Sequence, residues 1–211
     1  MLNTIQTQPK KRSTPYAWVT TIAHLMAEEK PCHYAAWLRS QYQILSKTSD
    51  YDTTDHDEMV IQRAVELQDQ GYQITVETAN SINVVGQQYK ICIAGRPDII
   101  AIKDNWIVVE DCKSGKKRKS YRYQVLLYMM LLRHAENTKT ECKDKQILGR
   151  LIYPDEIQDI SEHYLDQTFY DKLHQILATL TSPEIPTPQA NPWNCRYCAL
   201  PDQYCSLKMC A

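Results

Sequence analysis

No run of apolar residues in this sequence is long enough to cross a membrane. The longest, Val125 to Leu132, falls far short of the roughly 20 residues that a span needs. Residues 1–15 are polar, carry Lys10, Lys11 and Arg12, and have no apolar stretch behind them. No secretory signal or membrane partner is therefore expected, and the cytoplasm is the expected compartment. A strong charge of one sign is also missing, since 24 basic and 25 acidic side chains leave a net charge of −1. The overall basicity that would advertise nucleic acid is thus absent. No G-x4-G-K-[ST] loop occurs, so the chain is not expected to unwind DNA by itself. No internal repeat is visible.

What is present points elsewhere. The 211 residues suit one sizeable domain, or one domain with a small appendage, and 43% hydrophobic residues are enough for a core. The basic charge is clustered: Lys113, Lys116, Lys117, Arg118, Lys119 and Arg122 fall within ten residues. Such a run is ordinarily a solvated loop, but this one follows an acidic motif. Eight cysteines are many for a reducing compartment, where clustered thiols are more often metal ligands than disulfides. Cys92, Cys112 and Cys142 lie in or near strand-like segments and read as small core residues.

Along the chain, residues 1–14 read as a flexible arm. Helices are expected over Tyr16–Glu28, His33–Leu45 and from Asp55, as a cap, to Gln70, closed by Gly71. Strand signals rich in Ile and Val follow over Tyr72–Thr78, Gln88–Ile93, Pro97–Lys103 and Trp106–Cys112. A helix over Tyr121–Ala135 is apolar around most of its circumference, which predicts burial between layers. Ile147–Tyr153 reads as a strand and Leu165–Leu180 as an amphipathic helix. Pro183, Pro186, Pro188 and Pro192 make residues 182–193 a stiff, extended connection. The order implies an α/β layered domain, with an N-terminal helical segment (15–55), a core (56–181) and a cysteine-bearing tail (182–211).

The acidic motif lies on an expected hairpin. Asp104-Asn105 suits a two-residue turn, which pairs Lys103 with Trp106 and carries Asp98 opposite Asp111. Directly opposed side chains lie about 4.5–5.5 Å apart at Cβ. Lys113, two residues beyond Asp111, shares its face; Glu110 and Cys112 point to the other. Two facing carboxylates repel, and a hard divalent cation such as Mg²⁺ or Mn²⁺ reverses that cost. A cation activating water, with an ammonium beside it, is what phosphodiester hydrolysis requires. The plainer alternative is a pair of charges ending at a strand edge.

Pro97-Asp98 and Asp111-Cys112-Lys113 resemble the signature of the PD-(D/E)XK nuclease superfamily. Gln124-Val-Leu-Leu-Tyr128 resembles the Q-x3-Y motif of its RecB-like branch; spacing of four puts both on one helix face. The resemblance implies a mixed sheet flanked by helices, as in restriction endonucleases. It implies catalytic roles for Asp98, Asp111, Lys113, Gln124 and Tyr128. It also implies a metal site made from a helical histidine, Asp98, Asp111 and the Cys112 backbone carbonyl. His56 fits the histidine best, with His24 and His33 as alternatives. Lys116, Lys117, Arg118, Lys119 and Arg122 become candidate DNA contacts.

Cys195-x2-Cys198-x6-Cys205 calls for a fourth ligand. Cys210 would complete a local zinc knuckle. Cys32, in a segment ending Trp37-Leu38, instead resembles the N-terminal cysteine of iron–sulfur RecB-like nucleases. These include the CRISPR-associated exonucleases (the fourth Cas protein) and the AddB nuclease domain. There, one N-terminal and three C-terminal cysteines hold a [4Fe–4S] cluster. The last cysteine gap here is one residue longer than is usual in that group. The resemblance, spanning about residues 15–207, implies a DNA exonuclease preferring single strands. A role in CRISPR spacer acquisition, beside the integrase, or in DNA-end processing would follow. The competing expectation is a catalytically weak module that grips DNA or a protein partner.

Overall fold

The computed structural model describes residues 9–30, 32–44, 53–189, 195, 196, 198, 200–205 and 207. The chain opens with β1 (Lys10–Lys11), β2 (Tyr16–Trp18), α1 (Val19–Met26), α2 (His33–Gln41) and β3 (Tyr42–Gln43). β1 lies within the expected arm and pairs with β3, Lys11 opposite Tyr42. The helix expected from Tyr16 begins only at Val19. Tyr16 and Trp18 flank buried Ala17 in a period of two, and this stretch runs parallel to β6 (Cys92–Gly95) instead. The second helix stops at Gln41, because Tyr42 turns extended to join β1.

α3 (Thr54–Asp69) is the expected third helix. Thr53 takes the N-cap position, while Asp55 sits in the first turn, where a carboxylate favours the helix dipole. Gly71 closes the helix with φ +84°, a conformation costly for residues with a Cβ. β4 (Gln73–Val76) and β5 (Ile82–Val85) follow. β5 was not anticipated, and the strand expected over Gln88–Ile93 begins only at Cys92. Hydrogen bonds from Gly86 N to Ile91 O and from Lys90 N to Gly86 O fold the intervening residues into a turn.

β7 (Ile99–Lys103) and β8 (Trp106–Cys112) form the expected hairpin in the expected register, with Lys103 opposite Trp106 and Ile99 opposite Glu110. Asp104 takes φ +51° in the turn, as Asp tolerates. α4 (Lys119–Leu132) and the short α5 (Lys139–Cys142) lead to β9 (Gln146–Ile152), which runs parallel to β8. Cys142 therefore ends a helix rather than a strand, though it is buried as expected; Cys92 is only half-buried. β10 (Ile157–Ser161), also unanticipated, pairs antiparallel with β9, and α6 (Gln167–Thr181) follows.

The main sheet has five strands in the order β10-β9-β8-β7-β4, and a three-stranded sheet is ordered β2-β6-β5. Helices cover both faces of the main sheet. α3 lays Val60 and Leu67 against Ile99, Ala101, Val108 and Cys112. α4 packs on the opposite face, and Val125, Leu127, Met129 and Leu132 are fully buried there. Each such side chain contributes about 1.5–3 kcal/mol, which outweighs the indifferent helix propensity of Tyr and Val. The result is a mixed α/β fold whose sheets are flanked by helices. Among the described residues no helix is long and apolar enough to cross a membrane.

Candidate active site

Strand alternation sorts the acids of β8 onto different faces. Glu110 turns toward α3, where Arg63 Nε and one of its amino groups hold it at 2.8 and 2.9 Å, with Arg150 at 3.4 Å. Glu110 is fully buried, so this pairing offsets a large desolvation cost. Asp111 turns toward α4 and is buried as well. Strand alternation in the sequence favours Asp111, and here Glu110 has its cation behind the sheet while Asp111 faces the cleft.

Asp98 lies one residue before the last ladder pair. Its Oδ2 accepts from the Cys112 backbone N–H at 2.7 Å, which ties the end of β7 to the end of β8. His56, in the first turn of α3, places Nε2 3.6 Å from Asp98 Oδ1. The Asp98 contact raises the His56 pKa, with partial burial opposing it. His24 and His33 are elsewhere. His24 contacts Glu29 at 3.3 Å, and His33 Nδ1 is buried without a hydrogen-bond partner.

Lys113 forms an ion pair with Asp111, and its ammonium lies over the Tyr121 ring at 4.6 Å. Burial disfavours the charged ammonium, but the carboxylates of Asp111 and Asp98 outweigh it and the pKa is raised. Burial pushes the Asp111 carboxyl upward, against the pull of Lys113. One face of α4 completes the network. Gln124 Nε2 donates to Asp111 Oδ1 at 3.0 Å and to Tyr128 Oη at 3.1 Å, and Gln124 Oε1 accepts from Lys113 at 3.5 Å. Tyr128 Oη donates to the Arg96 carbonyl at 3.2 Å. Gly95 makes this approach possible, since a Cβ there would lie 2.5 Å from the Tyr128 ring. Four residues singled out in the sequence, Asp111, Lys113, Gln124 and Tyr128, thus form one connected cluster, which the Cys112 N–H at the strand end joins to Asp98.

Asp111 Oδ2 is buried without a hydrogen bond and has the Lys113 ammonium against it. Among the described residues no three His, Cys, Asp or Glu side chains are gathered tightly enough to make a ready metal site. The donor chemistry nevertheless suits a hard cation, because Asp98 Oδ1 and Asp111 Oδ2 are carboxylate oxygens that face the His56 imidazole and the Lys113 ammonium rather than a backbone N–H.

The sequence profile of the PD-(D/E)XK nuclease superfamily matches residues 2–205. The chain belongs to the PD-(D/E)XK nuclease superfamily. It is therefore a nuclease by family, and PD-(D/E)XK nucleases typically use Mg²⁺ or Mn²⁺. No curated protein matches the chain. Among solved structures it is similar to the protein SSO0001, with 20% identity, a TM-score of 0.48, and coverage of 89% of this chain and 84% of that one. It is also similar to an alkaline exonuclease from Laribacter hongkongensis, with 12% identity, a TM-score of 0.45, and coverage of 78% and 87%.

Four of the cysteines lie apart from this cluster. Cys32, Cys195, Cys198 and Cys205 all line one cavity of 300 Å³, with Lys30 and Arg39 also in its wall. Thiols beside cations in a partly apolar cavity have the donor chemistry of an iron–sulfur site, although no three of the described cysteines are gathered as a ready metal site. Cys210 lies outside the described residues. The tail also has its own ties to α2, which the proline-rich sequence did not suggest. Tyr34 donates to the Tyr204 carbonyl at 2.7 Å and Trp37 Nε1 to the Ser182 carbonyl at 2.9 Å.

The basic run is not uniform. Lys117 pairs with Glu156 at 2.8 Å and Asp155 at 3.8 Å, whereas Arg122 lies over the Tyr164 ring at 3.7 Å. The sequence did not single out Arg63, Arg96, Tyr121 or Tyr153. Each joins the site region through folding, and none carries a local motif.

Proposed function

We propose that this nuclease cleaves DNA, with Asp98, Asp111 and Lys113 as its catalytic residues. The observation that carries the reading is the junction of Asp98, Asp111, Lys113 and Gln124 at the end of the β7–β8 hairpin, with His56 beside them. His56, Asp98, Asp111 and the Cys112 carbonyl would hold the divalent cation. When bound, such an ion supplies Lewis acidity and a water of lowered pKa. Lys113 neutralises charge on the phosphate undergoing attack and orients the water. Gln124 fixes Asp111 and Lys113 relative to each other, and Tyr128 anchors Gln124 to the Arg96 carbonyl.

The same reading gives Cys32, Cys195, Cys198 and Cys205 to a [4Fe–4S] cluster, supported by their common cavity. A cluster there supplies a cross-link between the two ends of the chain. Zinc at Cys195, Cys198, Cys205 and Cys210 is the alternative, and a brown purified protein separates iron from zinc. Exonuclease action with a preference for single strands follows from the resemblance to RecB-like enzymes. So does a place in DNA-end processing or in spacer acquisition beside a CRISPR integrase. The test is an assay of the purified chain on labelled linear and circular DNA, single- and double-stranded, with Mg²⁺, Mn²⁺ or EDTA. Metal-dependent loss of linear single strands, with circles spared, is the expected result. Binding without cleavage would identify a DNA-gripping module.

A further inference from the structure

A second groove, of 660 Å³, opens between α4, the end of β9 and α6. Arg122, Tyr123, Tyr153, Tyr164, Phe169 and Lys172 are in its wall, so the surface is at once cationic and aromatic. Its cations are laid on its rings. The Arg122 guanidinium lies 3.7 Å from the Tyr164 ring centroid, and Lys172 lies 5.6 Å from that of Tyr123 while donating to the Tyr123 hydroxyl at 3.3 Å. The acids of the groove are already engaged: Glu156 by Lys117 at 2.8 Å, and Asp166 by the Phe169 backbone N–H at 2.8 Å. Arg118 and Lys119, also in the wall, add to the positive charge.

The inner end of this groove abuts the candidate active site. The Lys113 backbone N–H donates to the Ile152 carbonyl at 2.8 Å, and Tyr153 is the next residue. Tyr153 therefore stands beside Lys113 where β8 and β9 end. Tyr164 marks the outer part; it is 46% exposed, with its partner ring face on Arg122. Cations that can hold phosphates, alternating with rings that can stack on bases, are the recognition chemistry of a single strand. A duplex hides its bases from such rings.

We infer that this groove is the track for a single strand of DNA, which stacks a base on the exposed Tyr164, sets phosphates on Arg122 and Lys172, and passes the buried Tyr153 as it leads to Lys113. The inference rests on the DNA-nuclease reading above and locates the strand that the reading requires. Lys172 on α6 is the member that the linear sequence hides, lying 50 residues beyond Arg122.

The test is fluorescence anisotropy with labelled oligo-dT, and with an oligo-dT·dA duplex of equal length, in EDTA so that nothing is cut. Tyr164→Ala should weaken oligo-dT binding about ten-fold, the loss of one base stack, and leave duplex binding nearly unchanged. Tyr164→Phe, which keeps the ring, should bind as the wild type does. Lys172→Ala should lower the slope of log affinity against log salt by about 0.7, one single-strand phosphate contact. Unchanged oligo-dT binding by Tyr164→Ala, or equal losses on strand and duplex, would overturn the assignment. Cleavage by the wild type is measured separately, so a protein that binds through the groove but does not cut contradicts only the nuclease mechanism.

Discussion

The Glu29 carboxylate accepts from both the backbone N–H and the hydroxyl of Ser120, at 3.2 and 2.5 Å, and so caps the helix that carries Gln124 and Tyr128. Ser120 is buried, and the carboxylate also complements the positive end of α4. Glu29→Ala should cost about 1.5–3 kcal/mol, the range for hydrogen bonds to a charged group. Partial burial raises the Glu29 pKa, but the two Ser120 hydrogen bonds outweigh it and the net shift is downward. A depressed carboxyl stabilises the fold fully above its unfolded pKa, and loses that contribution as pH falls through its folded value. Melting temperatures of the wild type and Glu29→Gln should therefore converge toward acid pH; a gap constant with pH would contradict this.

Arg63 is the counterion of a carboxylate with no access to water. Arg63→Ala should destabilise the protein by about 3–5 kcal/mol, because Glu110 is then left buried with only the longer Arg150 contact. Denaturant unfolding measures this, and a change within about 0.5 kcal/mol, typical of surface sites, would show that Glu110 finds another partner.

Tyr128→Phe removes one hydroxyl and leaves the ring under Gly95. The Arg96 carbonyl and Gln124 amide each lose a partner, at about 1–3 kcal/mol for an unpaired buried group. Gln124→Ala should instead lower cleavage more than stability, since it frees Asp111 and Lys113 to shift. Unfolding curves read beside cleavage rates separate the two, and equal effects would make Gln124 merely structural.

Cys32→Ser should give a colourless protein with a lower melting temperature, whereas Cys92→Ser, at a thiol outside the cysteine cavity, should keep its colour. The Tyr34–Tyr204 and Trp37–Ser182 hydrogen bonds remain in Cys32→Ser. The tail should then loosen without full loss of the fold. A brown Cys32→Ser protein would move the fourth ligand to Cys210.

The hairpin register was legible because a two-residue turn fixes it: once Asp104-Asn105 is the turn, Lys103 must face Trp106. Gln124 and Tyr128 were legible because helical spacing is fixed. The strand at Tyr16–Trp18 was not, since a three-residue strand has too little period to distinguish from a helix start. β5 and β10 were hidden for a related reason: each is short, and its partner strand rather than its composition decides its state. The Arg63–Glu110 pair and the Lys172 side of the groove join residues 47 and 50 positions apart, distances over which no sequence pattern speaks.

The proposed phosphodiester hydrolysis stands or falls with Asp98. Asp98→Asn keeps a side-chain oxygen for the Cys112 N–H and removes only the charge. The decisive measurement is the single-turnover cleavage rate of this variant on labelled single-stranded DNA with saturating Mg²⁺ or Mn²⁺, beside its unfolding curve. An unfolding curve close to the wild type is expected, with a rate lower by at least about a hundred-fold, the scale of losing one preorganised charge at the reacting phosphate. A folded Asp98→Asn protein that cuts at the wild-type rate would contradict the proposal.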